Sequence, residues 1–556
     1  MPARVLFINY AFMRRANNER LMETKMRNIK PLVFSFFEAP KGRKSHALYF
    51  FLMLLGIGFS YAFQPYNMAP VVFLITPILV WIIDRAPNAR AAFIRGWFFG
   101  FGLFVKGMSW VGYSFTMQDA VPEWLAPIAV LALSTVLAAF KGLAFALAKR
   151  LVVPGVMRIV SFTCAWMIAE TLQGSLFTGL PWLLVGSMWA DWTAMLQGAA
   201  LVGVYGLSLT TVFIAASPAL FLEPEPTNSS RWMPVAAMGL LIVWAGFGIG
   251  RLNITEVDTF PGFKMRLVQA RIEQQDKWLS YLLEDHFSEH LKLTRQGSGR
   301  GQAENIDLII WPETAVPENL SRRSSLMRYR MSQLVSRGAH IITGAPRIMP
   351  NKDGSRRIYN SLYALDEQAN VVAQYDKFHL VPFGEYLPFG SLLRMFGLDQ
   401  LTGGGEGFRQ GPGPRTISIE GVPSFSPLIC YEVIFPDKVS DWQDRPEWLL
   451  NVTNDAWFGL SEGPYQHLAL ARMRAVEEGL ALVRVAGSGI TVVIDPLGRN
   501  VASMKVGAKG IIDSSLPMPL QDLPTLGMKK HNINRTLLVL LIALSLIARI
   551  KNHKRY

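Results

Sequence analysis

Runs of apolar residues too long for an ordinary soluble core constrain this chain more than anything else in it. A helix needs about 20 consecutive apolar residues to cross a hydrocarbon layer. Seven stretches of that kind occupy the first half, roughly 46 to 63, 66 to 84, 93 to 115, 124 to 148, 154 to 172, 195 to 222 and 233 to 251. An eighth, Thr536 to Ile550, is shorter but dominated by Leu and Ile. Hydrophobic residues make up 51% of the 556 and charged residues 17%. That balance points to a multi-span α-helical membrane domain of about eight helices joined to something more polar.

Charge supplies the orientation. The net charge is +14, and residues 1–45 hold ten Lys/Arg against three Glu. This excess lies beside the first apolar stretch, where Lys and Arg resist translocation, so it favours a membrane over a nucleic-acid partner. Within it, Pro31 to Phe37 is too short to span. Arg85, Arg90 and Arg95 mark one loop, Lys149, Arg150 and Arg158 another, and Lys551 to Arg555 the tail. With eight spans, all of these fall on one side, whereas the acidic loop Gln118 to Glu123 falls on the other. Arg231 alone marks the loop before the seventh span, and Lys529, Lys530 and Arg535 sit against the rule at the eighth.

The expected organisation is a basic cytoplasmic extension at 1–45 and a membrane domain at 46–252 with spans one to seven. A polar domain at 253–530 and a final span with a basic cytoplasmic tail at 531–556 complete it. In a bacterial inner membrane the domain at 253–530 would then be periplasmic and tethered beside the lipid at both ends. The loop Glu170 to Trp182, rich in aromatic residues and glycine, would face the same side. Aromatics settle at membrane interfaces in any case, but here they would also border a lipid entrance.

The insert alternates short strands with helices. Strands are expected at Lys264 to Ala270, Ile306 to Trp311, His340 to Gly344, Tyr359 to Leu365, Val371 to Tyr375, Pro423 to Ile429, Trp448 to Val452, 481 to 486 and 490 to 494. Helices are expected at Leu279 to Leu293, near 325 to 337, and at Pro464 to Glu478. Such mixing implies an α/β layered sandwich. A long irregular stretch, with Gly403 to Gly407 inside 390 to 415, suits a mobile loop.

Two cysteines are present, Cys164 inside an apolar stretch and Cys430 in the insert, without metal-ligand spacing, so neither a metal nor a cofactor is expected. Pro427-Leu-Ile-Cys430-Tyr-Glu432 reads as a nucleophile elbow between a buried strand and a helix starting within Val433 to Ser440. First-turn amides there would lower the thiol pKa and hold an oxyanion. Glu313 follows the apolar run Leu308 to Trp311, where desolvation makes a carboxylate a better proton acceptor. Lys377 would steady a developing oxyanion. Each residue taken alone also fits a blander role, a core cysteine or a solvated loop charge.

Trp311-Pro-Glu313, Lys377-Phe-His-Leu-Val-Pro-Phe-Gly-Glu385 and Cys430-Tyr-Glu432 together resemble the Glu-Lys-Cys triad of the nitrilase (carbon–nitrogen hydrolase) superfamily. Arg472 to Gly479 and Ile494 to Arg499 fit the same pattern. The apolar block, Leu176-Phe-Thr-Gly-Leu-Pro-Trp182, Val381 to Tyr386 and Asn454-Asp-Ala-Trp-Phe-Gly459 resemble, more narrowly, the bacterial apolipoprotein N-acyltransferase family. Residues 1–45 are not part of that pattern.

The resemblance implies a nitrilase-like α-β-β-α sandwich outside the cytoplasm, with Glu313, Lys377 and Cys430 catalytic. It implies supporting or substrate-binding roles for Glu385, Glu432, Tyr431, Asn360 and Trp278. The implied reaction moves an acyl chain from the sn-1 position of a phospholipid, phosphatidylethanolamine above all, through a Cys430 thioester. The acceptor is the α-amine of a diacylglyceryl-apolipoprotein, and the implied enzyme is a monomer. Two other readings stand beside it. A membrane-tethered amidase would let water resolve the thioester but gives no reason for eight spans. A transporter would usually carry more ionisable groups in its spans than Lys106 and Lys141.

Overall fold

The computed structural model of the chain describes residues 43–117, 122–151, 154–223, 227–296, 305–351, 355–388, 407–436, 438–520 and 543. Most of the basic extension, most of the acidic loop, the glycines at 403–405 and the eighth apolar stretch apart from 543 lie outside the described residues.

Seven longer helices fill the first half of the described residues. They are α1 (Arg43–Ser60), α2 (Pro70–Asp84), α3 (Ala89–Gly107), α4 (Leu125–Leu151), α5 (Val156–Ser175), α6 (Ala199–Ala216) and α7 (Asn228–Ile254). Each falls on one of the expected apolar stretches. By length and composition three are able to cross a membrane: α4, α6 with its continuation to Phe221, and α7. Close packing of α1 on α3 depends on Gly102, where a Cβ would lie 2.0 Å from the Met53 carbonyl oxygen. Small residues at such crossings let backbones meet.

Several boundaries differ from expectation, and at two of them a charged residue has a partner. The third stretch, expected to run to 115, stops as a helix at Gly107, where Lys106 pairs with Glu462 and Tyr66. Glu170, expected in a loop, belongs to α5 and is fully buried. Its Oε1 accepts from Trp166 Nε1 at 2.8 Å and Val185 N at 3.1 Å, with Lys141 Nζ at 3.3 Å. A buried carboxylate is tolerable only with such partners.

The second half forms strands β1 (Thr259–Gln269), β2 (Leu308–Ile310), β3 (His340–Pro350), β4 (Arg356–Leu365), β5 (Val371–Asp376) and β6 (Ile417–Ile419). They are followed by β7 (Val422–Ile429), β8 (Trp448–Thr453), β9 (Ala481–Ala486), β10 (Thr491–Ile494), β11 (Asn500–Met504) and β12 (Gly510–Pro517). One sheet has the order β12-β1-β2-β3-β4-β5 and the other β11-β10-β9-β8-β7-β6. In each, the three strands β1-β2-β3 or β7-β8-β9 run parallel and the outer pairings are antiparallel. Strands β6, β11 and β12 were not anticipated. β6 is only three residues long and β11 is largely exposed, so neither leaves a clear apolar signal.

Alternation along the strands builds three apolar layers. Met265, Ile310, Ile342, Phe425, Leu450 and Val483 meet between the sheets. Phe287 of α8 (Leu283–Thr294) and Met331 of α9 (Leu326–Ser332) cover the first sheet through Val268, Ile309 and Ile341. On the second sheet, Leu428, Leu449 and Leu482 pack against α10 (Gly463–Glu478), and that core continues without a break into α1 to α6. The outcome is an α-β-β-α sandwich whose second helical layer is itself covered by the N-terminal helices.

The helix expected within Val433 to Ser440 does not form. Cys430–Ile434 is a single 3-10 turn, and the chain leaves it extended at Phe435. Pro436 follows, and a residue before proline is driven out of the helical region.

Gly344 of β3 positions the turn after β2. A Cβ there would stand 2.4 Å from Thr314 N and 2.7 Å from Glu313 Cα. Both are backbone atoms, so the turn itself would have to move. Gly344→Ala is expected to cost about 1–3 kcal/mol, read as a lower unfolding midpoint in detergent; an unchanged midpoint would contradict this packing.

Candidate active site

The ends of strands from both sheets converge at one place. Glu313 follows β2, Lys377 follows β5, Cys430 follows β7 and Asn454 follows β8. Sites form beyond the carboxyl ends of parallel strands because the turns there are free to carry side chains inward.

Glu313 is 6% exposed. Its Oε1 accepts from Asn360 Nδ2 at 2.7 Å and its Oε2 from the Asn454 amide at 2.8 Å. Lys377, buried at 1% exposure, puts Nζ 3.6 Å from Glu313 Oε1 and donates to Glu385 Oε1 at 2.9 Å. Asn360 Nδ2 also donates to Glu385 Oε1 at 3.0 Å, and Glu385 Oε2 accepts from the Val381 amide at 2.8 Å. Asn360 thus bridges the two carboxylates while its own carbonyl takes the Lys377 amide at 2.9 Å. Despite burial, the two carboxylates and Cys430 hold the Lys377 ammonium well above the usual lysine range.

Cys430 has φ +54°, a left-handed conformation that a non-glycine residue adopts only under constraint. Here the constraint is its carbonyl oxygen, which accepts from Asn451 Nδ2 and lies 3.3 Å from His467 Nε2. Behind them Arg484 and His467 Nδ1 both contact the Asp455 carboxylate, at 2.6 and 3.1 Å. The thiol departs from expectation. Burial and the neighbouring Glu313 charge push it up to about 12, against a smaller pull from Lys377. The elbow leads into a single 3-10 turn in place of an α-helix, and the expected lowering by first-turn amides is not seen. The resting sulfur is therefore a thiol, and its proton must leave as the nucleophile attacks.

Glu432 is fully buried beside it. Its Oε1 accepts from the amides of Phe378 at 2.7 Å and His379 at 3.1 Å, and its Oε2 from the Ile429 amide at 2.7 Å. Tyr375 OH lies 3.1 Å from both oxygens. Burial raises its carboxyl to about 7, opposed by those amides and by Lys377. Tyr431 points the other way, and its OH donates to the Gly179 carbonyl at 3.0 Å, in the loop after α5. That face is held again at Gln466 of α10, whose Oε1 accepts from Trp110 Nε1 at 3.1 Å and Trp182 Nε1 at 2.7 Å.

Seven of the eight residues singled out from sequence thus come together: Glu313, Lys377, Cys430, Glu385, Glu432 and Tyr431 on the converging turns and Asn360 within β4. Trp278 stands apart from them. It is 51% exposed and lines a cavity that it shares with Glu313 and Asn454. Sequence reading passed over Lys277, Asn451, Asn454, Asp455, His467 and Arg484. Only Asn454 and Asp455 lay inside a quoted motif, and no spacing in the chain links His467 or Arg484 to the cysteine.

Two outcomes follow. Because the thiol is held high, alkylation of Cys430 by iodoacetamide should keep rising with pH between about 7 and 9; a plateau near 7 would show a preformed thiolate. Glu432 retains a proton in the folded protein up to about 7, whereas its ordinary value is 4.5. Folding stability should therefore fall as pH rises through that window. Glu432→Gln should remove that slope while lowering the melting temperature, since one amide cannot accept all four donors.

The model for the apolipoprotein N-acyltransferase N-terminal domain matches residues 55–217, and that for carbon-nitrogen hydrolase matches 264–520. A Rhodopseudomonas palustris protein named apolipoprotein N-acyltransferase is 39% identical over 507 residues, covering 89% of this chain and 94% of the relative. One of the same name from Bradyrhizobium diazoefficiens is 40% identical over 498 residues, covering 88% and 92%. Among solved structures, an amidase from Nesterenkonia sp. AN1 aligns with 50% of this chain and 99% of its own at 20% identity and a TM-score of 0.35, too low to bear on the site. Identity at this level across both halves shows that the chain belongs to the apolipoprotein N-acyltransferase family.

Proposed function

We propose that this protein is a membrane-associated acyltransferase that N-acylates apolipoproteins, using Glu313, Lys377 and Cys430. The observation that carries the assignment of residues is the burial of Glu313 and Lys377, 3.6 Å apart, within electrostatic reach of Cys430 on a strained elbow whose Tyr431 is tied to the loop after α5.

Glu313 accepts the thiol proton as Cys430 sulfur attacks the sn-1 ester carbonyl of a phospholipid. Lys377 and a backbone amide near Tyr431 hold the oxyanion. When the carbon–oxygen bond breaks, the proton on Glu313 passes to the leaving glycerol oxygen. A lysophospholipid departs and a Cys430 thioester remains. The α-amine of an S-diacylglyceryl cysteine, unperturbed pKa about 7.7–8.0, then attacks the thioester carbonyl. Glu313 takes the amine proton and returns it to sulfur as the carbon–sulfur bond breaks. Asn360 and Glu385 keep Glu313 and Lys377 in register, Glu432 holds the elbow, and Trp278 meets substrate at the rim.

Several finer points belong to the same proposal. The membrane domain is 46–252 with spans one to seven, 531–556 supplies a final span and a basic cytoplasmic tail, and 1–45 is a basic cytoplasmic extension. The catalytic domain, 253–530, is periplasmic at the bacterial inner membrane. The enzyme is a monomer, with phosphatidylethanolamine as donor. Burial of Glu313, Lys377 and Cys430 supports a transferase, because transfer to an amine must outrun hydrolysis by abundant water.

The test is intact mass of the detergent-purified protein after incubation with one defined phospholipid, alongside Cys430→Ala. A hydroxylamine-labile acyl adduct on the wild type alone, discharged by a diacylglyceryl-cysteine peptide that becomes N-acylated, is the expected result. Discharge to free fatty acid at one rate with or without peptide would indicate a hydrolase. No adduct at all would remove the thioester route.

A further inference from the structure

One buried cation beside the reacting groups has no part in those steps. Lys277 lies between β1 and α8, is 9% exposed, and donates from Nζ to the Glu313 carbonyl oxygen at 3.2 Å. Burial lowers its pKa to about 8, while Glu313 and Cys430 pull it upward, so both groups are within its electrostatic reach. The cavity it lines is shared with Trp278, Glu313, Asn454 and, from α8, His286 and His290. Burial lowers both histidines, His290 to about 4. At neutral pH the positive charge on that wall is therefore carried by Lys277.

The charges around the sulfur explain why a second cation is needed. Glu313 and Glu385 face Lys377, and Glu432 is served separately by its own amide and hydroxyl donors. One ammonium against two carboxylates leaves a surplus negative charge in a buried place. A thiolate or oxyanion forming there would be opposed by that surplus.

We propose that Lys277 is a positioning residue of the acyl-transfer site: it anchors the turn that carries Glu313 and offsets the Glu313 charge, leaving the Lys377 charge for the oxyanion. This inference rests on the acyl-transfer reading above. Its arrangement differs from a packing role because the ammonium is spent on a main-chain oxygen of the base and not on a distant ion pair.

The experiment uses the full chain in detergent as wild type, Lys277→Met, Lys277→Arg and Lys277→Gln. Two rates are followed against pH: alkylation of Cys430 by iodoacetamide, read on its own peptide, and thioester formation from one defined phospholipid. Removing the positive charge should slow alkylation about tenfold at a given pH, the effect of a one-unit rise in thiol pKa. It should also move the pH midpoint of thioester formation upward. Lys277→Arg should restore most of both, and Lys277→Gln, which keeps a donor without the charge, should behave like Lys277→Met and stands in for it if the methionine variant does not fold. Rates and midpoints in the uncharged variants equal to wild type would overturn the proposal. So would equal slowing in the arginine variant with no shift in pH dependence, which is the signature of packing. A wild type that forms no thioester counts instead against the acyl-transfer reading, whereas alkylation reports on Lys277 either way.

Discussion

The buried Glu432 carboxylate is the interaction on which the rest of the site depends. It lies on the turn after β7 in one sheet, yet two of its donors, the amides of Phe378 and His379, lie on the turn after β5 in the other. A third, the Ile429 amide, precedes Cys430 itself. Elsewhere the two sheets meet mainly through apolar side chains, which are attractive but not directional, with further polar links such as Glu313 to the Asn454 amide and Thr491 to Gln269. The carboxylate converts that contact into a fixed geometry, because each amide must point at it or go unsatisfied in a place without water. Lys377, immediately before Phe378, and Cys430, two residues before Glu432, are thereby set against one another.

A second constraint comes from the opposite side. The outer face of the β7 to β10 sheet is covered by α10 and the turn after β7, and these are in turn packed on the N-terminal helices in one apolar core. Polar contacts at that boundary are specific. Tyr431 reaches the Gly179 carbonyl, Gln466 collects two indole donors, and Gln197 donates to the Leu497 carbonyl at 2.9 Å. The elbow is therefore held between two bodies. A strained Cys430 backbone persists when its surroundings over-determine it in this way.

Much of this was legible from the chain alone, and the reason differs by element. Apolar stretches located α1 to α7 because a helix of that length and composition leaves a long, low-charge record. Short apolar runs located β3, β4, β7, β8 and β9, which are buried on both faces over much or all of their length. Strands β6 and β11 left no such record, since short or exposed strands bury too little to force a pattern. The turn after Cys430 was misread as a helix because the apolar residues up to Phe435 outweighed the local effect of Pro436. Charged residues set further limits: the partners of Lys106 and Glu170 lie 356 and 29 residues away, at Glu462 and Lys141, and no window of sequence displays them.

The sequence by itself determined which residues have reactive chemistry and which segments are helical or extended, because both are properties of side chains and their local spacing. The tertiary structure alone decided the state of those residues. Whether a thiol is lowered by helix amides or raised by burial and a neighbouring carboxylate depends on groups brought together from β2, β5 and β7. Whether Lys277 is a solvated loop charge or a buried cation on the Glu313 carbonyl depends on the same convergence. Electrostatic energies depend on distance and on exclusion of water, and neither exists until the two sheets and the helices behind them close around the site.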